Sequence, residues 1–252
     1  MRLHFLSGGR LRMRRSIYQP DAAKEETLEL PVSCALIRHP QANVLFDTGC
    51  NPQAATDPEG RWGGLARVMT PIFTSQDTVI PQLALAGLVP GDIDVVVCSH
   101  LHPDHCGCNQ SFGRATIMCH AAELEAAKAD GAEKQGYLPA EWDQPNGFKT
   151  FDARHDLFGD GKVELVPLPG HTPGTTGALV TLDQSGRFLL AADAAPMRSA
   201  LDGIAPKNNW NQERAAASVA EIKALEAAGA TVIFGHDEAQ WNTLRKGAEF
   251  YE

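Results

Sequence analysis

The stretch of residues 93–107 reads IDVVVCSHLHPDHCG and decides the fold of the chain. Its β-branched first half predicts a buried strand, and three histidines and an aspartate follow within six positions, where that strand ends. A rigid strand end can direct several side chains at one point, and imidazole nitrogens with a carboxylate suit Zn²⁺ or another first-row divalent ion. We therefore interpret His100, His102, Asp104 and His105 as a metal-binding cluster, rather than as a polar loop that is rich in histidine by chance.

The composition is that of a globular protein and argues against several other classes. The chain has 252 residues, of which 43% are hydrophobic and 21% are charged, and its net charge is −9. These values fit one domain over residues 1–252 with a core of ample size. The negative charge argues against nucleic acid as a partner, because nothing would neutralise the phosphates. No apolar run approaches the length of a membrane span, so we expect no membrane association.

The amino-terminal region and the cysteines indicate a cytoplasmic location. Arg14 and Arg15 form a twin-arginine pair, but the segment that follows is polar rather than apolar, so we reject a signal peptide. The six cysteines are then expected to be free thiols in a reducing compartment. Cys106 and Cys108 lie beside the histidine cluster, where a metal role is open to them, although Cys-x-Cys is a weak signal and packing is the commoner explanation.

Other metal-type residues also follow predicted strands. Asp47, His171, Asp193 and His236 each come after an apolar run and lie next to a glycine, a proline or a turn. Side chains at neighbouring strand ends can converge at one edge of a sheet, and together with the cluster they provide enough ligands for two metal ions. Two ions roughly 3.5–4 Å apart can hold a bridging hydroxide and polarise a carbonyl, which is a hydrolase arrangement.

The order of the predicted elements indicates the fold class. Strands come first, and strands then alternate with helices twice over, which suggests an α/β (α+β) protein with two mixed sheets packed face to face and helices outside. At the amino terminus, residues 3–6 and 10–18 are interpreted as the two strands of a hairpin that turns at Gly8 and Gly9.

Two irregular segments are candidate walls of a substrate pocket. Residues 50–76 contain several prolines and glycines among large apolar residues such as Trp62, Met69 and Phe73. A loop of this length in a compact domain is usually functional or disordered. Its apolar side chains line a pocket, or they pack on the core or on a partner subunit, and the sequence leaves both explanations open. Residues 131–160 are interpreted as a second insert that forms part of the pocket.

The cluster and the strand ends together resemble the metallo-β-lactamase superfamily. The likeness rests on His100-Leu101-His102-Pro103-Asp104-His105, followed in order by Gly170-His171, Asp193 and Gly235-His236. It implies a four-layer αβ/βα sandwich with a dinuclear metal site. Within the superfamily the chain is most similar to the N-acyl-homoserine lactonases and related small-lactone hydrolases. That narrower likeness rests on Leu30-Pro31-Val32, Ala55-Thr56-Asp57-Pro58, Trp62-Gly63-Gly64, Phe158-Gly159-Asp160-Gly161 and Glu249-Phe250-Tyr251.

The resemblance implies a role for each residue of the motif. It assigns His100, His102 and His171 to one metal ion, Asp104, His105 and His236 to the other, and Asp193 to both. Asp47 would orient a ligand histidine by a hydrogen bond. A hydroxide that bridges the ions would attack the lactone carbonyl, and the ring oxygen would leave with a proton from Asp104 or with help from a metal.

The chain departs from the family pattern at two positions that face the substrate. Pro196 stands three residues beyond the bridging aspartate, where the family usually has a tyrosine, and Thr175 stands where it usually has a second histidine. Loss of one oxyanion donor typically costs about 10²–10³ in rate. Tyr18, Tyr137 and His155 are candidate replacement donors, and we count Tyr137 and His155 among the pocket residues.

Other functions remain open at this level. The same site could serve a hydrolase of another ester, a thioester or an amide, or a metal-dependent oxidoreductase, while the intact ligand set argues against a non-catalytic binder. The ligand set favours Zn²⁺, and iron, manganese and cobalt also accept it. The expected partner is a small-molecule lactone or ester. The resemblance also suggests a homodimer, with residues 61–73 as an interface or as the rim of the pocket.

Overall fold

Seven strands form the first sheet of the structure, a computed structural model that describes residues 1–252. In chain order they are β1 (Arg2–Arg14), β2 (Thr27–Arg38), β3 (Asn43–Phe46), β4 (Thr70–Pro71), β5 (Val95–Val97), β6 (Thr116–His120) and β7 (Lys149–Phe151). Across the sheet their order is β4-β1-β2-β3-β5-β6-β7, parallel from β3 to β7 and antiparallel elsewhere. The β-branched strand β5 therefore lies inside the sheet, as its composition predicts.

Five strands form the second sheet. They are β8 (His155–Asp156), β9 (Val163–Pro167), β10 (Thr176–Leu182), β11 (Gly186–Ala192) and β12 (Ala230–Phe234). Their order across the sheet is β12-β11-β10-β9-β8, with only the β11–β12 pair parallel. Both sheets are therefore mixed.

Nine α-helices connect the strands. They are α1 (Arg15–Tyr18), α2 (Pro58–Trp62), α3 (Val79–Leu85), α4 (Pro103–Cys106), α5 (Ala121–Lys128), α6 (Pro139–Trp142), α7 (Arg198–Leu201), α8 (Gln212–Ala227) and α9 (Glu238–Trp241). The longest, α8, buries Ala215, Ser218, Ile222 and Leu225, whose spacing of three or four residues places them on one face. None of the helices combines the length and the apolar character needed to cross a lipid bilayer.

The sheets pack face to face, and the helices cover their outer faces. Side chains of both sheets meet in the central core, for example Phe5 and Ile37 from the first and Leu165 and Phe188 from the second. On the outer face of the second sheet, residues of α7 and α8 such as Ile222 pack against the strands. The predicted α/β class and the four-layer αβ/βα sandwich are confirmed.

The hairpin predicted at the amino terminus is wrong. Residues 2–14 form the single strand β1, which pairs with β2 on both sides of Gly8 and Gly9. The register shifts at these glycines, so they form a bulge in a continuous strand rather than a turn. A side chain at Gly8 would lie 2.7 Å from Cα of Gly49. Glycine is therefore required there for the close approach of two backbones.

The three large apolar side chains selected from residues 50–76 as pocket walls lie in a core rather than on the surface. Trp62, Met69 and Phe73 are at most 8% exposed and pack in one cluster with residues of β1 and β2, among them Leu11. Of the two explanations that the sequence leaves open, packing on the core matches this position.

A buried ion pair joins the two irregular inserts. Arg61 on α2 donates from Nε to Oε1 of Glu141 on α6 at 2.7 Å and from Nη2 to Oε2 at 2.9 Å. The Glu141 side chain is fully buried, and it also accepts a hydrogen bond from Nε1 of Trp62. The paired geometry satisfies a carboxylate that would otherwise be costly to bury.

Replacing Arg61 by methionine should destabilise the fold. The change keeps the apolar stem but leaves Glu141 buried without its cation, so we expect the free energy of unfolding to fall by about 3 kcal/mol in urea denaturation. Arg67→Met is the matched control, because Arg67 pairs with Glu59 on the exposed surface and should contribute little. Equal stability of the two variants would contradict this assignment.

Candidate metal centre

The metal-type residues lie at strand ends that share one edge of the sandwich. Parallel β3 and β5 end side by side, which brings Asp47 close to the loop that begins with Ser99 and His100. Parallel β11 and β12 likewise end together and place Asp193 beside His236. Each parallel pair brings its two following residues to one end of its sheet, and the 3.4 Å distance from Nε2 of His105 to Oδ1 of Asp193 shows that these ends of the two sheets meet.

Three histidines form the first group. Nδ1 of His102 lies 3.1 Å from Nε2 of His100 and 3.1 Å from Nε2 of His171. His100 and His171 are buried, and all three offer ring nitrogens that lie within 4.8 Å of one another. His100 and His102 come from the loop after β5, whereas His171 comes from the loop after β9, so the group joins the two sheets.

Asp104, His105 and His236 form the second group. Oδ2 of Asp104 lies 3.6 Å from Nε2 of His105 and 3.6 Å from Nε2 of His236. All three residues are buried. Asp104 and His105 stand in the first turn of α4, and His236 follows β12.

Asp193 faces both groups with different oxygens. Its Oδ1 lies 3.0 Å from Nε2 of His236 and 3.4 Å from Nε2 of His105, whereas its Oδ2 lies 3.4 Å from Nε2 of His171. The residue before it, Ala192, has a positive φ of 45°. Gly235 packs against the carboxylate, because a Cβ atom at Gly235 would lie only 2.8 Å from Asp193 Oδ1. The strained residue and the glycine together fix the direction of the carboxylate.

Hydrogen bonds at the remote ring nitrogens set the tautomers of several histidines. Nδ1 of His105 donates to Oδ2 of Asp47 at 2.8 Å, and Nδ1 of His236 donates to the carbonyl of Pro31 at 2.9 Å. His102 donates from Nε2 to the carbonyl of Gln135 at 2.9 Å. In each ring the other nitrogen points into the cluster, and in the neutral form of the ring it carries the lone pair that could bind a metal.

Asp47 and Ser99 fix the start of the histidine loop. Oδ1 of Asp47 accepts the backbone N–H of Ser99 at 2.7 Å, and its Oδ2 accepts the Ser99 hydroxyl at 2.7 Å. The Ser99 oxygen in turn lies 3.0 Å from Nδ1 of His100. Asp47 thus holds a histidine of each group, one directly and one through Ser99.

Burial and neighbouring charge move the pKa values of the cluster in opposite directions. Burial holds the pKa of His100 well below its ordinary value and lowers the pKa of His171 to about 3. Burial acts the same way on His105 and His236, but the negative charge of Asp104 and Asp193 outweighs it and raises their pKa. His100 and His171 are therefore held neutral, while the carboxylates draw positive charge toward His105 and His236.

The donor set fits two divalent metal ions. Nε2 of His105 and Oδ1 of Asp193 are buried polar atoms without a hydrogen-bond partner, and both point into the cluster. Such atoms are costly to bury unless something binds them. Nitrogen and carboxylate donors of this kind are what first-row divalent ions accept. No cysteine belongs to either group, and burial raises the pKa of the nearby Cys108 thiol to about 12.

Two cavities open beside the cluster. One of about 150 Å³ is lined by His102, His171, Tyr137 and Trp210, and another of about 240 Å³ is lined by residues that include His236. The backbone N–H of Trp210 donates to the carbonyl of His171 at 2.9 Å, which fixes its half-exposed indole at the first cavity. The sequence analysis did not select Trp210, because nothing near it in the sequence indicates a site.

Of the predicted pocket residues, only Tyr137 lines either of these cavities. Trp62, Met69 and Phe73 lie in the core cluster described above, and His155 lies on the edge strand β8, stacked on the ring of Phe151. Apolar composition alone did not distinguish a pocket wall from a core, and this distinction required the structure.

The positions that depart from the family pattern are occupied by well-anchored residues. The carbonyl of Pro196 accepts the backbone N–H of His236 at 2.8 Å, and the Thr175 hydroxyl accepts the backbone N–H of Thr172 at 2.9 Å. Of the candidate donors, the Tyr18 hydroxyl donates to the sulfur of Met13, and burial and the charges of Asp193 and Asp104 raise its pKa. Burial and the nearby carboxylate of Glu123 raise the pKa of the buried Tyr137 hydroxyl well above its ordinary value.

Comparisons with known proteins place the chain in a family. A model of the Metallo-beta-lactamase superfamily matches residues 27–243, and the chain belongs to that superfamily. It is 33% identical over 264 residues to an N-acyl homoserine lactonase, AttM, of Rhizobium johnstonii (100% of this chain, 98% of the relative). It is 32% identical over 269 residues to the AttM lactonase of Azorhizobium caulinodans (100% and 99%). Its fold also resembles the solved structure of an N-acyl homoserine lactone hydrolase that has the product N-hexanoyl-L-homoserine bound at its catalytic metal centre. The TM-score is 0.89 at 27% sequence identity, and the match covers 99% of this chain and 98% of the other.

Replacing Asp193 by asparagine should impair metal binding. The amide keeps the size of the carboxylate but removes the charge that faces both groups, so bound metal should fall from about two ions per chain to one or fewer. Elemental analysis of protein purified without chelator, with circular dichroism to confirm folding, measures this. Asp237→Asn is the control, because Asp237 only caps α9 and contacts Arg198, and asparagine also caps helices. Two retained ions in the Asp193 variant would refute the bridging role.

Proposed function

We propose that the protein is a metal-dependent hydrolase that opens the lactone ring of N-acyl homoserine lactones. The observation that carries the proposal is the shared carboxylate of Asp193, whose two oxygens face two separate donor groups. That arrangement suits two-metal hydrolysis of a carboxylic ester. The full-length likeness to N-acyl homoserine lactonases supports the substrate class.

The donor groups suggest how the ions would be held. His100, His102 and His171 would hold one ion, Asp104, His105 and His236 the other, and Asp193 both. Zinc suits these nitrogen and carboxylate donors, and iron, manganese and cobalt accept the same set. When bound, such ions make an attacking water more acidic and polarise the ester carbonyl.

The residues of the chain supply the remaining functions. Asp104 is in our proposal the catalytic residue that takes one proton from the attacking water as the water oxygen bonds to the carbonyl carbon. It hands that proton to the ring oxygen as the bond between the carbonyl carbon and the ring oxygen breaks, which yields a hydroxyl group and a carboxylate, and the second proton of the water is released as acid. Asp47 and Ser99 hold the histidine loop rigid, so the donors keep their spacing during the reaction. Trp210 and Tyr137 would cover the apolar part of the substrate at the cavity between His102 and His171.

The proposal treats residues 1–252 as one catalytic unit. This is supported by the origin of the donors, which come from loops of both sheets. A cytoplasmic location is supported by the six cysteines, which are all free and buried. The homodimer stays a prediction, for which the exposed Val68 within residues 61–73 offers an apolar contact point.

A panel of substrates tests the proposed reaction. Acid release in a pH-stat should be about 100-fold faster on N-hexanoyl- and N-decanoyl-homoserine lactone than on an aryl ester, a thioester or a β-lactam. The Asp193→Asn variant provides the background rate. Turnover of only the non-lactone substrates would reject the lactonase proposal and favour a hydrolase of another ester, a thioester or an amide.

Trp210→Ala should change the response to acyl-chain length. If the indole covers the acyl chain, loss of contact with about two methylene groups costs about 1.6 kcal/mol, so KM for the N-decanoyl substrate should rise about 15-fold. The N-butanoyl substrate should be nearly unaffected, and kcat should hold for both. Trp210→Phe is the control and should restore most of the binding. An equal loss on both substrates would contradict this role.

A further inference from the structure

Glu123 is a fully buried carboxylate that none of the roles described above uses. It lies in the first turn of α5, and no lysine, arginine or histidine forms an ion pair with it. An isolated buried carboxylate is costly unless hydrogen bonds satisfy it. The contacts that satisfy it therefore indicate what it does.

Three hydrogen bonds that Glu123 accepts come from the two loops that carry the first histidine group. Oε1 accepts the backbone N–H of Leu101 at 3.0 Å. Oε2 accepts the hydroxyl of Thr172 at 2.7 Å and the backbone N–H of Gly174 at 2.9 Å. Leu101 stands between His100 and His102, and Thr172 is the neighbour of His171.

The loop after β9 is packed tightly around this carboxylate. A side chain at Gly174 would lie 2.5 Å from Cβ and the backbone nitrogen of Glu123, so that loop rests directly on α5. The Thr172 hydroxyl also lies 2.7 Å from the hydroxyl of Thr175, which accepts the Thr172 N–H. Thr175 thus extends the network from the position where the family usually carries a histidine.

We propose that Glu123 is a positioning residue that sets the spacing of His100, His102 and His171 without touching any of them. It ties a loop of the first sheet to a loop of the second, and the three donor nitrogens come to their 3.1 Å separations as a result. Asp47 performs the corresponding task for His105. The inference rests on the proposed metal assignment and is independent of the substrate.

Zinc affinity tests the inference. In Glu123→Gln the NH₂ group of the new amide must lie against a backbone N–H or the Thr172 hydroxyl, which are themselves donors, so at least one hydrogen bond is lost. We therefore expect one of about two Zn²⁺ equivalents to bind 10–100-fold more weakly, while the affinity for the other is unchanged. Titration of metal-free protein with Zn²⁺ against a chromophoric chelator measures both equivalents. Glu125→Gln, an exposed glutamate on the same helix, is the matched control and should behave as wild type.

A second pair of variants covers the case in which Glu123→Gln does not fold. Thr172→Val removes the hydroxyl that donates to Glu123 and contacts the Thr175 hydroxyl, at nearly constant shape, and should weaken one equivalent. Thr172→Ser keeps the hydroxyl and should restore the affinity. Wild-type affinity in the folded Glu123→Gln or Thr172→Val protein, or equal weakening of both equivalents, would overturn the proposal. No turnover is measured, so failure of the lactonase proposal leaves this result interpretable.

Discussion

The carboxylate of Asp193 is the interaction on which the site depends, because it is shared by the two donor groups. Its oxygens face histidines that come from both sheets, so the site exists only where the sheets meet. Several local features follow from this requirement. Ala192 adopts a positive φ, Gly235 lacks a side chain, and β11 and β12 run parallel so that Asp193 and His236 arrive together.

Electrostatics explains why the two groups differ. Burial keeps the imidazoles of His100 and His171 neutral, and a neutral imidazole is the form that binds a metal. In the second group the carboxylates of Asp104 and Asp193 draw positive charge toward His105 and His236. A divalent ion satisfies that attraction better than a proton does, so metal uptake and proton release are coupled there.

Much of the fold and of the candidate site could be predicted because the signals are local. The strand before His100 and the spacing up to His105 lie within a few residues, and the remaining donors share the pattern of an apolar run followed by a turn. Glu123 and Trp210 carry no such signal, because their partners lie far away in the sequence. Gly8 and Gly9 predict a turn from sequence but form a bulge in the structure, because a bulge and a turn both use glycine.

The position of His236 has a consequence for the synthesis of the protein. It follows β12, which pairs with β11 at the edge of the second sheet, so it is the last of the seven donors to leave the ribosome. A nascent chain that has already made the loop from His100 to His105 still lacks one donor of the second group. The first sheet can therefore form early, while the set of seven donor residues is completed only when the last strand takes its place.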